Sequence, residues 1–207
     1  MTTLFLIADI FGRTRALETM GQELSEAVPD IRIIDPYQGL DHRFETEARA
    51  YAYFMDRVGL ASYGSILTEA LASPGPDTVL ISFSVGASAL WSVSDRTFFR
   101  HIQKAFCFYG SQIRQYTGIR PRFDMELIFP EQEPHFDVDE LIHTLQTKDR
   151  VTCTKASGLH GFMNELSPHF DPDSYATYME YLRTYGISRR NGYAPKKINL
   201  NSYFSNR

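Results

Sequence analysis

Ser84 stands in Ser82-Phe83-Ser84-Val85-Gly86, between the apolar run 78–83 (TVLISF) and a segment that opens with small residues. A serine on a sharp strand-to-helix turn carries its hydroxyl above the sheet, and small neighbours let the helix approach the strand closely. That hydroxyl is a poor nucleophile until a base takes its proton, and the base needs an acid to orient it. Two later segments supply candidates. The apolar run 125–129 leads into Pro130-Glu131-Gln132-Glu133-Pro134-His135-Phe136-Asp137, and the run 150–155 leads into Ala156-Ser157-Gly158-Leu159-His160-Gly161-Phe162. The order serine, acid, histidine is the one in which such a turn recruits its partners. The chemistry this predicts is acyl transfer at a carbonyl: Ser84 attacks, His160 acts as base, and Glu133 or, failing it, Asp137 orients the base.

Other chemistries find less support. His135 and Asp137 form an H-x-D pair, but no third ligand stands at a usable spacing, so no metal is expected. There is no G-x-x-x-x-G-K-[ST], no G-x-G-x-x-G and no H-E-x-x-H, which leaves nucleotide and zinc-protease chemistry without a motif. No cofactor is called for. Cys107 and Cys153 both lie in strand-like contexts and read as buried, reduced thiols.

The elements that must position these residues alternate. Apolar runs at 4–8, 31–34, 78–83, 104–109, 125–129 and 150–155 read as strands. Amphipathic stretches at 14–27, 44–72 (with a break between 59 and 64), 87–93, 138–147 and 173–185 read as helices. Strands made of continuous apolar residues are buried on both faces, so the fold class is α/β: a mostly parallel central sheet with helices on both faces. In such sheets ligands bind beyond the carboxyl ends of the strands, where Asp9, Ser84, Glu133 and His160 all fall. The short span 110–125 leaves room for a flap but not for a large cap domain.

At these positions the chain resembles the dienelactone hydrolase-like branch of the α/β-hydrolases, from about residue 4 to about residue 185. The resemblance is carried by Asp9-Ile10-Phe11-Gly12, Asp35-Pro36-Tyr37, Phe83-Ser84-Val85-Gly86, Phe108-Tyr109-Gly110-Ser111, Pro130-Glu131-Gln132-Glu133-Pro134 and His160-Gly161-Phe162. It implies that Ser84 is the nucleophile, that His160 is the base, and that Glu133 stands where the family usually has an aspartate. It also implies an oxyanion hole made by the backbone N–H groups of Ile10 and Val85. Asp9 occupies the place of an acid that in the dienelactone hydrolases contacts a cysteine nucleophile; with Phe11 and Phe162 it is expected to line the substrate pocket. The sequence departs from the pattern at Ser82, where the turn usually has glycine. It departs again at Asn164, where an arginine can hold a substrate carboxylate.

Composition bounds the rest. With 207 residues, 43% hydrophobic and 22% charged, the chain is long enough to bury one substantial core. A net charge of −4 argues against nucleic acid as the partner. The apolar run near the start is too short for a signal or a membrane span, so a cytoplasmic protein with no membrane contact is expected. Residues 1–186 are expected to form the hydrolase domain. Residues 187–207, which hold Arg189, Arg190, Lys196, Lys197 and Arg207 and no acid, read as a basic strap or a partly disordered tail. The expected activity is hydrolysis of a small carboxylic ester, lactone or thioester through an acyl-enzyme. The alternatives are an acyltransferase on the same fold and a catalytically silent protein that binds a ligand or partner; oligomeric state is not legible.

Overall fold

The computed structural model describes residues 2–73, 75 and 77–187, the side chains of 100 and 185–187 excepted. The basic tail therefore lies outside the described residues. Six strands, β1 (Thr3–Ile7), β2 (Asp30–Ile34), β3 (Thr78–Phe83), β4 (Ile102–Phe108), β5 (Asp124–Phe129) and β6 (Val151–Lys155), form one sheet. Their order is β2-β1-β3-β4-β5-β6, and every neighbouring pair is parallel. All carboxyl ends therefore face one edge, and the chain reverses its winding direction between β1 and β3.

The helices cover both faces because the strands are apolar on both. On one face α1 (Arg15–Leu24) and α6 (Pro172–Tyr181) bury Leu17, Met20, Leu24, Tyr178 and Met179 against Leu4, Leu6, Ile81 and Phe106. On the other, α2 (Glu47–Arg57), α3 (Gly59–Ala70), α4 (Val85–Val93) and α5 (Val138–Leu145) cover Phe5, Ile7, Leu80 and Leu127. Side-chain caps start the helices: Thr14 accepts from the Leu17 amide, Thr46 from Arg49, and Asp171 from Asp173 and Ser174, with Pro172 opening α6.

Three expectations change. The long helical stretch starts at Glu47, not at residue 44, and its expected break falls at Val58–Gly59, where Gly59 takes φ +71°. The last helix ends at Tyr181 and continues as a π-helical turn. The span after β4 is not a free flap. It forms a 3₁₀ turn (Ser111–Tyr116) that braces α4: the Gln112 amide donates to Ser88 Oγ at 3.2 Å, and Trp91 Nε1 donates to Tyr116 O at 2.9 Å. Of the two thiols, Cys107 is buried but Cys153 only half-buried, and burial pushes both up to about 12. No helix of the described residues is long and apolar enough to cross a membrane.

Candidate active site

Strand β3 stays hydrogen-bonded one residue past its end, the Ser84 amide donating to Phe108 O at 2.9 Å. The backbone then turns abruptly: Ser84 has φ 49° and ψ −114°, a region that costs a non-glycine residue of order 1–3 kcal/mol. Val85 begins α4 immediately. The next residue shows why the turn is built of small side chains, since a Cβ on Gly86 would sit 2.9 Å from Ile7 Cγ2 and against the Ala8 carbonyl. Ser82 is tolerated in place of glycine because its side chain turns toward β4, where the hydroxyl lies 3.2 Å from Phe106 O and Cys107 Sγ.

His160 comes from the far side of the sheet. Its strand β6 lies three positions from β3, roughly 14 Å at ~4.8 Å per strand, so the chain after β6 must fold back over the strand ends. Local bonds make it do so. Glu131 N donates to Gly158 O at 2.9 Å, Asn164 N to Gly161 O at 2.8 Å, and Asp171 N to Phe162 O at 3.1 Å. Ser167 Oγ ties the same loop to Glu47 on α2 at 2.7 Å. The outcome is that His160 Nε2 lies 2.9 Å from Ser84 Oγ, and His160 Nδ1 lies 2.7 Å from Glu133 Oε1. The Glu133 side chain is 7% exposed and that of His160 31%. An acceptor-only carboxylate at Nδ1 places the ring proton there, which leaves the Nε2 lone pair for the serine proton. Asp137, the other candidate acid, is spent as the N-cap of α5, accepting from the Glu140 amide at 3.0 Å.

The turn after β1 completes the site. Asp9 Oδ1 accepts from the Phe11 amide at 2.9 Å, Gly12 N donates to Asp9 O at 3.2 Å, and Tyr37 Oη donates to Ile10 O at 2.7 Å. These bonds fix the turn at Ile10, two residues after the Ala8 carbonyl that packs against Gly86 in the first turn of α4; the first amides of that helix have no intrahelical acceptor. Asn164 Nδ2 donates to Asp9 Oδ2 at 2.6 Å, so it joins this turn to the His160 loop. Burial raises the Asp9 carboxyl above the ordinary carboxylate range, with the Phe11 and Asn164 bonds opposing the shift.

Of the residues expected in the pocket, Asp9 lines a cleft beside the turn. Phe11 is buried. Phe162 is fully buried against Phe108, Tyr109 and Tyr178, where it backs the Tyr109 wall. His135 is exposed, and no group of three or more His, Cys, Asp or Glu among the described residues is placed to hold a metal. The supports Tyr37 and Glu47 escaped sequence reasoning. Tyr37 was quoted only as part of a motif, and Glu47 reads as one more solvated acid at a helix start.

No family model matches the chain. A protein from Bacillus subtilis (strain 168), described as uncharacterized protein YczH, is 29% identical over 171 residues, spanning 80% of this chain and 83% of that protein. Among solved structures, a dienelactone hydrolase-like promiscuous phosphotriesterase from metagenomic libraries superposes with TM-score 0.64 at 12% identity, covering 88% of this chain and 84% of that one. A cold-adapted esterase from an Arctic intertidal metagenomic library gives TM-score 0.57 at 16% identity, covering 87% and 81%. In its order of strands and helices, and in its likeness to these structures, the chain has the fold of the dienelactone hydrolase-like α/β-hydrolases.

Proposed function

We propose that this protein is a serine hydrolase that cleaves a small carboxylic ester, lactone or thioester through an acyl-enzyme. The observation that carries the reading is the continuous contact Ser84–His160–Glu133, 2.9 and 2.7 Å, at the carboxyl edge of a hydrolase-fold sheet. The esterase and phosphotriesterase among the structural neighbours support it. In this reading Ser84 Oγ bonds to the substrate carbonyl carbon while its proton passes to His160 Nε2. The carbonyl oxygen becomes an oxyanion facing the Ile10 and Val85 amides, which is often the largest single catalytic contribution. As the intermediate collapses, the bond to the leaving oxygen or sulfur breaks and His160 returns the proton to that atom. Water then gives a proton to His160 as its oxygen bonds to the acyl carbon; when the bond from that carbon to Ser84 Oγ breaks, His160 returns the proton to Oγ, freeing Ser84 and a carboxylic acid.

A silent binding protein would owe nothing to this geometry; Ser82 in place of glycine and Glu133 in place of aspartate, which would speak for such a protein, are accommodated by the β4-facing hydroxyl and the bond to His160. Intact-mass labelling with a fluorophosphonate tests the proposal. Wild type is expected to take one adduct and Ser84→Ala none. A wild type that stays unlabelled, beside a serine hydrolase control that labels, overturns it.

A further inference from the structure

A narrow cleft, partly open to solvent, runs from the β1 turn along α1. Its inner walls are Asp9, Phe83 and Tyr109: the residue before the oxyanion turn, the residue before Ser84, and the ring packed 5.0 Å from the His160 imidazole. Leu17, Met20 and Met163 give it an apolar floor. This is the usual composition of a small-molecule subsite, mostly apolar with a few placed polar groups.

The polar groups define what fits. Tyr109 is 1% exposed, and its hydroxyl, although it faces the Met163 amide, makes no hydrogen bond of proper geometry. The hydroxyl itself is buried behind the cleft wall, so it offers a bound chain no hydrogen bond. The charged groups on the walls are all acids: Asp9 inside and Glu165 at the rim. Glu47 adds negative potential from behind, raising Asp9 and Tyr109 further. Of the guanidiniums nearby, Arg13 is turned outward onto Glu18 at 2.8 Å, and Arg183, which acts on the lining residue Tyr175, is paired with Glu23 at 3.3 Å. Asn164, where the resembled family has an arginine for a carboxylate, is occupied with Asp9.

Resting on the hydrolase reading, we infer that this cleft is the acyl subsite, and that it takes an uncharged or cationic, slender acyl chain and rejects a carboxylate-bearing one. The acyl half is assigned because it stays covalently on Ser84 while the leaving group exits and water enters; a blind cleft behind the oxyanion turn suits the part that stays.

The test varies the acyl chain with one leaving group, on wild type, Ala16→Trp and Ala16→Lys. Ala16 lies half-buried in the first turn of α1 on the cleft wall, where a larger side chain fills the cleft without entering the core. For wild type, kcat/KM rises from p-nitrophenyl acetate to hexanoate, and mono-p-nitrophenyl adipate, the same chain ending in a carboxylate, is about tenfold or more poorer than hexanoate. Ala16→Trp loses the chain-length gain, about fourfold per excluded methylene, so its hexanoate-to-acetate ratio of kcat/KM falls toward one. Ala16→Lys improves the adipate ester relative to hexanoate. If acetate is cleaved but Ala16→Trp leaves the chain-length profile unchanged, or if the adipate ester is cleaved as well as hexanoate, the subsite falls and the hydrolase reading stands. If the wild type cleaves no ester and takes no fluorophosphonate, both fall.

Discussion

Replacing Glu133 by glutamine tests the least conventional member of the proposed triad, and its effect can be worked from the geometry. When Ser84 attacks, His160 becomes an imidazolium whose Nδ1 lies 2.7 Å from Glu133 Oε1. The charge centres are then about 4 Å apart, and at an effective dielectric near 20 their attraction is about 4 kcal/mol. Solvent screening is small because the Glu133 side chain is 7% exposed. Glutamine keeps the size and one acceptor but no charge, so about 10³-fold in kcat/KM is at stake, with ~10² if the amide oxygen still accepts from Nδ1. Because the charge appears only in the transition state, the loss falls on kcat more than on KM. The assay is p-nitrophenyl acetate hydrolysis with active-site titration, run beside Asp137→Asn. That control keeps an N-cap, asparagine capping about as well as aspartate, and loses only the charge at the α5 N-terminus, so it costs about 1 kcal/mol of stability or less and leaves kcat within about threefold. A Glu133→Gln enzyme within fivefold of wild type, or an Asp137→Asn enzyme equally impaired, refutes the assignment.

Three further outcomes follow from the surroundings of the site. Gly86→Ala pushes a methyl into Ile7 and the Ala8 carbonyl, so it is expected to cost about 1–3 kcal/mol in urea unfolding; a change below 0.5 kcal/mol (about the noise of surface substitutions) would contradict the close approach of α4 to β1. Tyr63→Phe removes a fully buried hydroxyl that lies 2.9 Å from Ala8 O and 3.2 Å from Ile34 O, with an expected loss of about 1–2 kcal/mol by the same measurement. Asp9→Asn separates a pH-independent hydrogen-bond cost from a pH-dependent one. The folded-state carboxyl is raised, so the native protein holds the proton more tightly than the unfolded chain, and wild-type stability falls as pH climbs from about 4 through the raised value. Wild type should therefore lose stability relative to Asp9→Asn over that rise; parallel stability curves from pH 4 to 8 would show that Asp9 is not desolvated.

The parallel sheet was legible because its strands are continuous apolar runs, and 78–83 was placed to the residue. The meeting of Ser84, His160 and Glu133 was legible because each follows a strand, and strand ends in a parallel sheet share one edge. Segment ends were less so. Residues 44–72 keep helical periodicity through Val58, and only the left-handed conformation of Gly59 parts the two helices. The bracing of α4 by Ser111–Tyr116 was illegible because it runs through backbone groups and one indole N–H, which leave no periodic trace. The choice between Glu133 and Asp137 was only half legible. Both are acids in one loop, and the helix expected from 138 already puts Asp137 at its start, but only the fold shows that its side chain caps that helix while Glu133 reaches His160.

Asp9, Asp35 and Glu133 make the general point, since all three are acids just beyond a parallel strand. Asp35 has both oxygens taken by backbone, accepting from Tyr37 N at 2.8 Å and Gly39 N at 2.9 Å, and shapes a turn. Asp9 gives one oxygen to its own turn and the other to Asn164, so it shapes the turn after β1 while tying it to the His160 loop. Glu133 gives an oxygen to a titratable ring that itself meets a hydroxyl. A carboxylate bound only by amides can orient and cap, because amides do not change charge during a reaction. One bound to an imidazole responds when the imidazole gains a proton. The partners, and not the residue type or the place in the sheet, therefore separate the acid that supports the backbone from the acid assigned to the chemistry.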